Sequence, residues 1–110
     1  MAFAKKNTTT NQNSPRVTVD MLHSLHARVR NVRLVADNCL TFTLRLYGID
    51  LYNMRLVEGA KGAFITASAT KGKDGKYYDN FRVYFADDAA AAVEAAVRKA
   101  YNDNLQECEV

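Results

Sequence analysis

The chain of 110 residues has no tryptophan, one proline and only two cysteines. Its apolar residues never approach the run of about 20 that a membrane-spanning helix requires. Two lysines near the amino terminus have no apolar segment behind them, so no secretion signal is predicted. Cys39 and Cys108 lack the spacing of metal or redox motifs. They are interpreted as free thiols of a cytoplasmic protein, with a disulfide as the less favoured alternative.

Signatures of catalysis are equally scarce. His23 and His26 are the only histidines, and without a further ligand they are better interpreted as surface or capping residues than as a metal site. The chain has no Gly-x-Ser-x-Gly elbow and no Walker phosphate loop. The segment GAKGAF, from Gly59, is not followed by a helical pattern, which favours a strand connection over a phosphate cradle. We therefore expect no enzyme activity, no metal, no cofactor and no small-molecule substrate.

Charge is plentiful but unevenly distributed. Fifteen Lys and Arg residues and twelve Asp and Glu residues give a net charge of +3. Residues 1–34 carry six cations and one anion, residues 35–86 seven and five, and residues 87–110 two and six. This asymmetry favours a polyanionic partner for one surface, although a merely solvated face explains it equally well.

The chain is short enough to form one domain. Residues 4–15 contain no large apolar side chain and predict a disordered arm. Residues 16–26 are ambiguous, because VTV suggests a short strand whereas Met21, Leu22 and Leu25 have helical spacing. The predicted organisation is a mostly disordered arm at 1–25, a folded domain at 26–105 and a tail at 106–110.

Alternation of apolar and polar residues predicts five strands, at 27–35, 40–47, 49–57, 63–69 and 77–85. The second strand shows the alternation most clearly, and its core face is expected to consist of Leu40, Phe42, Leu44 and Leu46.

Glycines mark two of the strand connections. Gly59 and Gly62 flank a tight turn in which at least one glycine is expected to have a positive φ, and Gly75 belongs to an Asp-Gly hairpin turn.

An alanine-rich run beginning at Asp87 or Asp88 predicts a helix, with Val93, Val97 and Tyr101 on its apolar face. Residues 102–110 are expected to form a frayed acidic tail. The predicted fold is therefore α+β, a mainly antiparallel five-stranded meander sheet followed by one C-terminal amphipathic helix.

Cations and aromatic residues alternate around the predicted hairpin. Lys71, Lys73 and Lys76 could neutralise phosphates, and Tyr77 and Tyr78 follow immediately. Lysines that merely keep the hairpin hydrated, with aromatics that fill the core, are an equally good interpretation.

Alternation in the fifth predicted strand separates a core face from an outer face. Tyr77, Phe81, Val83 and Phe85 are assigned to the core. The outer face is expected to present Tyr78, Arg82 and Tyr84, where Arg82 could hold a nucleic acid or a second subunit.

Residues 57–65 (VEGAKGAFI) resemble the V-x-E-G-x-K-G-x-F-V signature of the SpoVG family, the bacterial septation and sporulation regulators. Residues 73–79 (KDGKYYD) are similar to the family's D-G-x-[YF]-x-D turn. Residues 28–33 and 95–101 resemble its opening strand and its closing helix. The resemblance covers about residues 26–105 in one collinear order. One departure is that residues 66–71 (TASATK) replace the family's Met-Pro-Ser-[KR] segment.

The resemblance implies a small cytoplasmic homodimer that binds DNA, and in some members RNA, as a regulator. It implies that Lys61, Lys71 and either Arg98 or Lys99 stand at positions that are basic in the family pattern. Dimerisation is expected through a sheet edge or a sheet face. The complete set of candidate nucleic-acid-binding cations is Lys61, Lys71, Lys73, Lys76, Arg82, Arg98 and Lys99.

Two further hypotheses stay open. One is a protein–protein adaptor in cell division or phage biology, which would dock a partner through a sheet edge or the tyrosine face. The other is a single-strand binder of the oligonucleotide-fold type.

Overall fold

The computed structural model describes residues 15–110, so most of the predicted arm lies outside the described residues. The fold is α+β, as predicted. An antiparallel five-stranded sheet is accompanied by a short helix, a longer helix and a separate two-stranded sheet. In chain order the elements are α1 (Val19–Ser24), β1 (Arg28–Ala36), β2 (Cys39–Leu46), β3 (Ile49–Gly59), β4 (Gly62–Thr66), β5 (Ala69–Lys71), β6 (Tyr77–Asp79), α2 (Asp87–Asn102) and β7 (Glu107–Glu109).

The core lies between α2 and one face of the five-stranded sheet. Phe42 and Leu44 of the central strand β2 are buried, and Leu40 and Leu46 pack against them half-buried. The predicted core face of this strand is therefore confirmed. The other buried apolar residues are Leu22, Ala27, Val29, Met54, Leu56, Ala89, Val93, Ala96, Val97 and Ala100.

Helix α2 covers the sheet because its buried positions are small or β-branched. Val93 and Val97 are fully buried as predicted, whereas Tyr101 is 42% exposed. The N-cap position is Ala86, which makes no side-chain capping bond. Asp88, in the first turn, nevertheless accepts a hydrogen bond at its Oδ1 from the Ala89 amide at 2.7 Å.

The fifth strand of the main sheet is not the predicted one. The order of the strands is β4-β3-β2-β1-β7, so the edge beside β1 is filled by β7, from the segment predicted to be a frayed tail. Glu107 and Glu109 lie opposite Arg30 and Arg28 in this pairing, and Cys108 lies opposite Val29 and packs against the core. Opposite charges across an antiparallel pair stabilise a strand that is short and acidic.

The predicted strand 77–85 is wrong beyond residue 79. Only Tyr77–Asp79 forms a strand, and it pairs with β5 in the two-stranded sheet. Phe81, Val83 and Phe85 pack against the core without entering a strand ladder, apart from one isolated bridge at Phe85. Alternation identified the apolar residues of this segment but not their hydrogen-bonding partners.

Both signals in the ambiguous segment 16–26 correspond to structure. Val17 forms a parallel bridge with Phe85, and helix α1 follows. The Thr18 side chain caps this helix by accepting a hydrogen bond from the Met21 amide at 3.2 Å. Leu22 is fully buried in the core. The folded region therefore begins before the predicted boundary at residue 25.

The turn glycines occupy the positions expected of them. Gly62 has a φ of 125° and Gly75 a φ of 82°, values at which residues other than glycine are strained. Gly59 pairs with Gly62, and a Cβ at Gly59 would lie 3.3 Å from the ring of Phe64. Both cysteines are free thiols. No helix within residues 15–110 is both long and apolar enough to cross a membrane.

Candidate nucleic-acid interface

The lysine hairpin, defined here as residues 69–79, has a loop held by its own hydrogen bonds. The Gly72 amide donates to the Lys76 carbonyl at 2.7 Å, and the Gly75 amide donates to the Gly72 carbonyl at 3.1 Å. Asp74 accepts from the Lys76 amide at 3.0 Å and from the hydroxyl of Tyr78. A Cβ at Gly72 would lie 2.8 Å from the Tyr78 ring, so the ring needs glycine at that position. These contacts together stabilise the conformation of the loop.

Ionised Asp74 is part of this arrangement. The hydrogen bond from Tyr78 lowers the pKa of Asp74 below its usual value, with the Lys76 amide adding to the effect. The same bond raises the pKa of the Tyr78 hydroxyl. Asp74 is thus a carboxylate that shapes the loop, a role that sequence reasoning did not assign to it.

The three lysines of the hairpin are exposed at its turn and flanks. Within residues 15–110, no carboxylate oxygen lies within 4.0 Å of Lys71, Lys73 or Lys76, since all the ion pairs found there involve arginine. The structure therefore brings these three predicted cations together on one hairpin. Lys61 and Lys99 are also exposed but lie elsewhere, in the β3–β4 turn and in the last turn of α2.

Two predicted cations are already engaged by carboxylates. Arg82 Nε lies 2.6 Å from Asp79 Oδ2. Arg98 Nη1 lies 2.7 Å from Glu58 Oε1, and its Nε lies 3.0 Å from Glu94 Oε2. These carboxylates raise the pKa of both guanidinium groups. A phosphate would have to displace an existing partner at either residue, so neither is a ready contact.

The aromatic residues around the hairpin follow the prediction only in part. Tyr78 and Tyr84 are exposed, as expected for an outer face. Tyr77 was assigned to the core but is 66% exposed, because the two-stranded sheet that contains it stands apart from the five-stranded sheet.

A second cationic surface lies on the face of the five-stranded sheet opposite α2, called here the open face. Residues directly opposite each other on paired strands share a face, and successive residues alternate between faces. Because Phe42 and Leu44 point into the core, their neighbours Thr41, Thr43 and Arg45 belong to the open face. The strand registers add the partners of these residues to the same face, namely Arg28, Arg30, Arg33, Asp50, Arg55, Thr66, Glu107 and Glu109.

Three of the five arginines on the open face are paired with carboxylates. Arg28 binds Glu107 and, at 3.1 Å, Glu109. Arg30 Nε is 3.3 Å from Glu107 Oε2, without the geometry of a hydrogen bond. Arg45 donates two hydrogen bonds to Asp50, at 2.7 and 2.9 Å. The bonds from Arg45 lower the pKa of Asp50.

Arg33 and Arg55 differ from these three arginines in their exposure and in their lack of a carboxylate partner. Both are exposed, and neither forms an ion pair with any residue in the described part of the chain. Arg33 lies opposite Thr41, and Thr41 lies opposite Arg55. Two strand spacings separate the arginine backbones, or about 10 Å.

Two β-bulges shape the centre of the open face. The registers shift in β1 after Arg30 and in β3 opposite the segment between Phe42 and Leu44. Asn31 and Asn53 lie at these shifts with φ values of 53° and 59°, a conformation that asparagine tolerates better than most residues. A recess of about 190 Å³ lies between the bulges, lined by Asn31, Arg33, Thr41, Phe42, Thr43 and Asn53.

Neither Arg33 nor Arg55 is among the candidate cations predicted from the sequence. The apolar neighbours Met54 and Leu56 indicate that Arg55 points outward, but only the pairing register shows that it shares a row with Arg33. The asparagine bulges carry no comparable signal, since an isolated asparagine in a strand pattern has many explanations.

Comparison of the chain with family models, curated proteins and solved structures found no match. Among residues 15–110 there is also no group of three or more His, Cys, Asp or Glu side chains able to hold a metal ion. The function is therefore inferred from the charged surfaces themselves.

Proposed function

We propose that this protein is a cytoplasmic nucleic-acid-binding regulator of the SpoVG type, acting without catalysis, and that the lysine hairpin supplies phosphate contacts. The observation that carries the proposal is the presence of three exposed lysines on one internally hydrogen-bonded hairpin, without a carboxylate partner in the described residues. The resemblance of residues 57–65 and 73–79 to the SpoVG signature supports the same function.

The physical reason is electrostatic. Exposed lysines neutralise backbone phosphates and release condensed counterions, which supplies affinity without sequence preference. A loop whose conformation is already held by Asp74 and Tyr78 loses less entropy on binding than a flexible loop would. If each of the three lysines meets one phosphate, log K should fall with log salt concentration with a slope of about −3 on duplex DNA.

The test is a salt titration of binding to labelled duplex DNA and single-stranded RNA, followed by fluorescence anisotropy. The variant Lys71→Gln/Lys73→Gln/Lys76→Gln removes three positive charges from the hairpin. Its matched control is Ala91→Glu/Ala95→Glu/Asn102→Glu, which changes net charge equally at exposed positions of α2. We expect the hairpin variant to lose most of the salt dependence and the control to retain it.

Equal behaviour of the two variants would show that net charge, and not the hairpin, governs binding. If no salt-sensitive complex forms at micromolar protein, the proposal fails, and the adaptor hypothesis becomes the better one.

Dimerisation is part of the proposal. Strand β4 lies at one end of the strand order, so a second copy could extend the sheet there, as unpaired strand edges allow. Light scattering of the purified protein, with and without nucleic acid, measures the mass directly.

A further inference from the structure

We propose that the open face binds a single-stranded segment of nucleic acid, with Arg33 and Arg55 on its phosphates and the ring of Tyr52 stacked on a base. This inference rests on the proposed function and adds to it the ligand's strandedness and a second contact surface. Its residues lie in strands of the five-stranded sheet, apart from the lysine hairpin.

The charge of the open face favours a polyanion. Five arginines and three carboxylates lie on it, which leaves a net charge of +2 from 5 − 3. The carboxylates form ion pairs with Arg28, Arg30 and Arg45, so the excess positive charge resides on Arg33 and Arg55. A guanidinium group without a carboxylate partner can bind a phosphate with two parallel hydrogen bonds and displaces nothing to do so.

Aromatic rings are exposed on the same face. Tyr52 and Asp50 are two residues apart in β3 and point the same way, and the Tyr52 hydroxyl lies 3.5 Å from Asp50 Oδ2. The Tyr52 side chain is 60% exposed. Phe64 of β4 lies opposite Val57 and is 50% exposed, whereas its neighbours Ala63 and Ile65 pack against the core. Exposed rings beside unpaired arginines form a platform on which unpaired bases stack.

The recess between the bulges adds hydrogen-bonding groups. The side-chain amides of Asn31 and Asn53 each carry a donor and an acceptor, and Thr41 lines the same recess beside the buried Thr43. These are the groups that recognise the edges of a base that is not engaged in pairing.

The dimensions of the platform favour a single strand over a duplex. From Arg33 in β1 to Phe64 in β4 the surface spans three strand spacings, or about 14 Å. The major groove of B-DNA is about 12 Å wide and admits a helix or a two-stranded ribbon. A broad sheet face therefore reaches the base edges of a duplex only if the groove is widened, whereas a single strand can lie across it with its bases turned towards the sheet.

A second copy of the chain fits the open face less well. A two-fold interface would bring Arg33 and Arg55 of both copies onto one buried surface, where like charges repel. Stable homodimer interfaces are also more apolar than a surface whose centre consists of threonine, asparagine and arginine side chains.

The test compares a labelled single strand of about 20 uridines with a duplex DNA of about the same length, using the full chain. Arg33→Gln/Arg55→Gln is matched in charge by Ala91→Glu/Ala95→Glu on α2, and Tyr52→Leu is matched by Tyr101→Leu. Urea unfolding and light scattering of each variant establish that fold and mass are unchanged.

We expect Arg33→Gln/Arg55→Gln to weaken single-strand binding about tenfold or more and to reduce the salt slope by about 1.4, the value for two lost contacts on a single strand. Tyr52→Leu should weaken single-strand binding about tenfold without changing the slope, as loss of one stacked base does. Duplex binding should change less than about threefold in both variants, because the lysine hairpin is intact.

The inference is overturned if both open-face variants bind the single strand within about twofold of the unmodified chain. The proposed function then still stands or fails on the hairpin variant alone. If the hairpin variant binds normally while the open-face variants do not, the inference holds and the hairpin assignment fails. A mass change in the arginine variant would instead identify the open face as a contact between copies and overturn the inference.

Discussion

The two faces of strand β2 differ in almost every property, although their residues alternate along the same eight-residue strand. Phe42 and Leu44 belong to the same buried core cluster as the valines of α2. Thr41 and Arg45 lie on the opposite face among arginines, carboxylates and exposed rings. A helix has removed one face from water, whereas the other face is positively charged and only partly exposed, with Thr43 at its centre 6% exposed.

This difference separates stability from binding. Burial of apolar side chains provides the dominant favourable free energy of folding, whereas exposed ion pairs contribute little. Substitutions on the covered face should therefore change the free energy of unfolding, and substitutions on the open face should change affinity. The predictions below test that separation, beginning with the largest effect.

The largest difference is expected between neighbouring positions of β2. Leu44→Ala should lower the free energy of unfolding by about 3 kcal/mol, because it removes buried methyl groups and leaves a cavity. Thr41→Ala, on the open face, should change it by no more than about 0.5 kcal/mol. Urea denaturation followed by circular dichroism measures both. Similar losses at the two positions would mean that the open face is covered in solution.

A smaller effect is expected at the bulge in β3. Asn53 has a positive φ, so Asn53→Ala should destabilise the fold by about 1 kcal/mol, whereas Asn53→Gly should be nearly neutral. Asn102→Ala, at an exposed helical position, is the control. The same urea titration applies, and an alanine variant as stable as the glycine variant would contradict the bulge geometry.

The acidic strand β7 should limit binding to the open face. Glu107→Gln/Glu109→Gln frees Arg28 and Arg30 of their carboxylate partners, so the salt slope for a single strand should steepen by up to about 1.4. Asp37→Asn/Asp103→Asn changes the net charge equally at exposed positions. Equal slopes for the two variants would show that the open face is not the contact surface.

The smallest effect concerns pH. Hydrogen bonding by Arg45 lowers the pKa of Asp50, so the folded state holds this proton less tightly than the unfolded state does. The contribution of this pair is complete above the unfolded pKa of about 3.9 and disappears as the pH falls through the folded value. The unmodified chain should therefore be more stable than Asp50→Asn at about pH 6, and the difference should shrink as the pH falls below about 3.9. Urea titrations of the unmodified chain and of Asp50→Asn across the pH range check this, and a difference that does not depend on pH would contradict it.

Much of the fold follows from local pattern. Alternation in β2 predicted which residues meet the core, and the spacing of Val93 and Val97 predicted the buried face of α2. The positive φ of Gly62 and Gly75 follows from the tight turns they form. Each of these inferences needs only neighbouring residues, because side-chain period and turn geometry are local properties.

The incorrect strand predictions also share a cause. Strand β7 was missed because a short acidic segment becomes a strand only when Arg28 and Arg30 are already aligned opposite it. The segment 81–85 was assigned to a strand because its apolar residues alternate, yet the free β1 edge pairs with β7. Strand partners distant in sequence are selected by tertiary contacts, which override local propensity.

Some features of the candidate site are likewise visible in the sequence, and others appear only in the folded structure. The clustering of Lys71, Lys73 and Lys76 is visible in the sequence, since a single hairpin holds all three. The ion pairs of the two arginines are only partly visible in the sequence. Asp79 is near Arg82 and Glu94 is near Arg98. Glu58, however, lies forty residues from Arg98 and contacts it only in the folded domain.

The amino-acid sequence by itself determined the α+β class, the apolar faces of β2 and α2, the turn glycines and the lysine-rich hairpin. Only the tertiary structure decided which strand fills the edge beside β1, which arginines are neutralised, and that Arg33 and Arg55 lie in one row across β2. The reason is that periodicity and turn chemistry act over a few residues, whereas charge pairing across a sheet depends on a register that forms only when distant strands align.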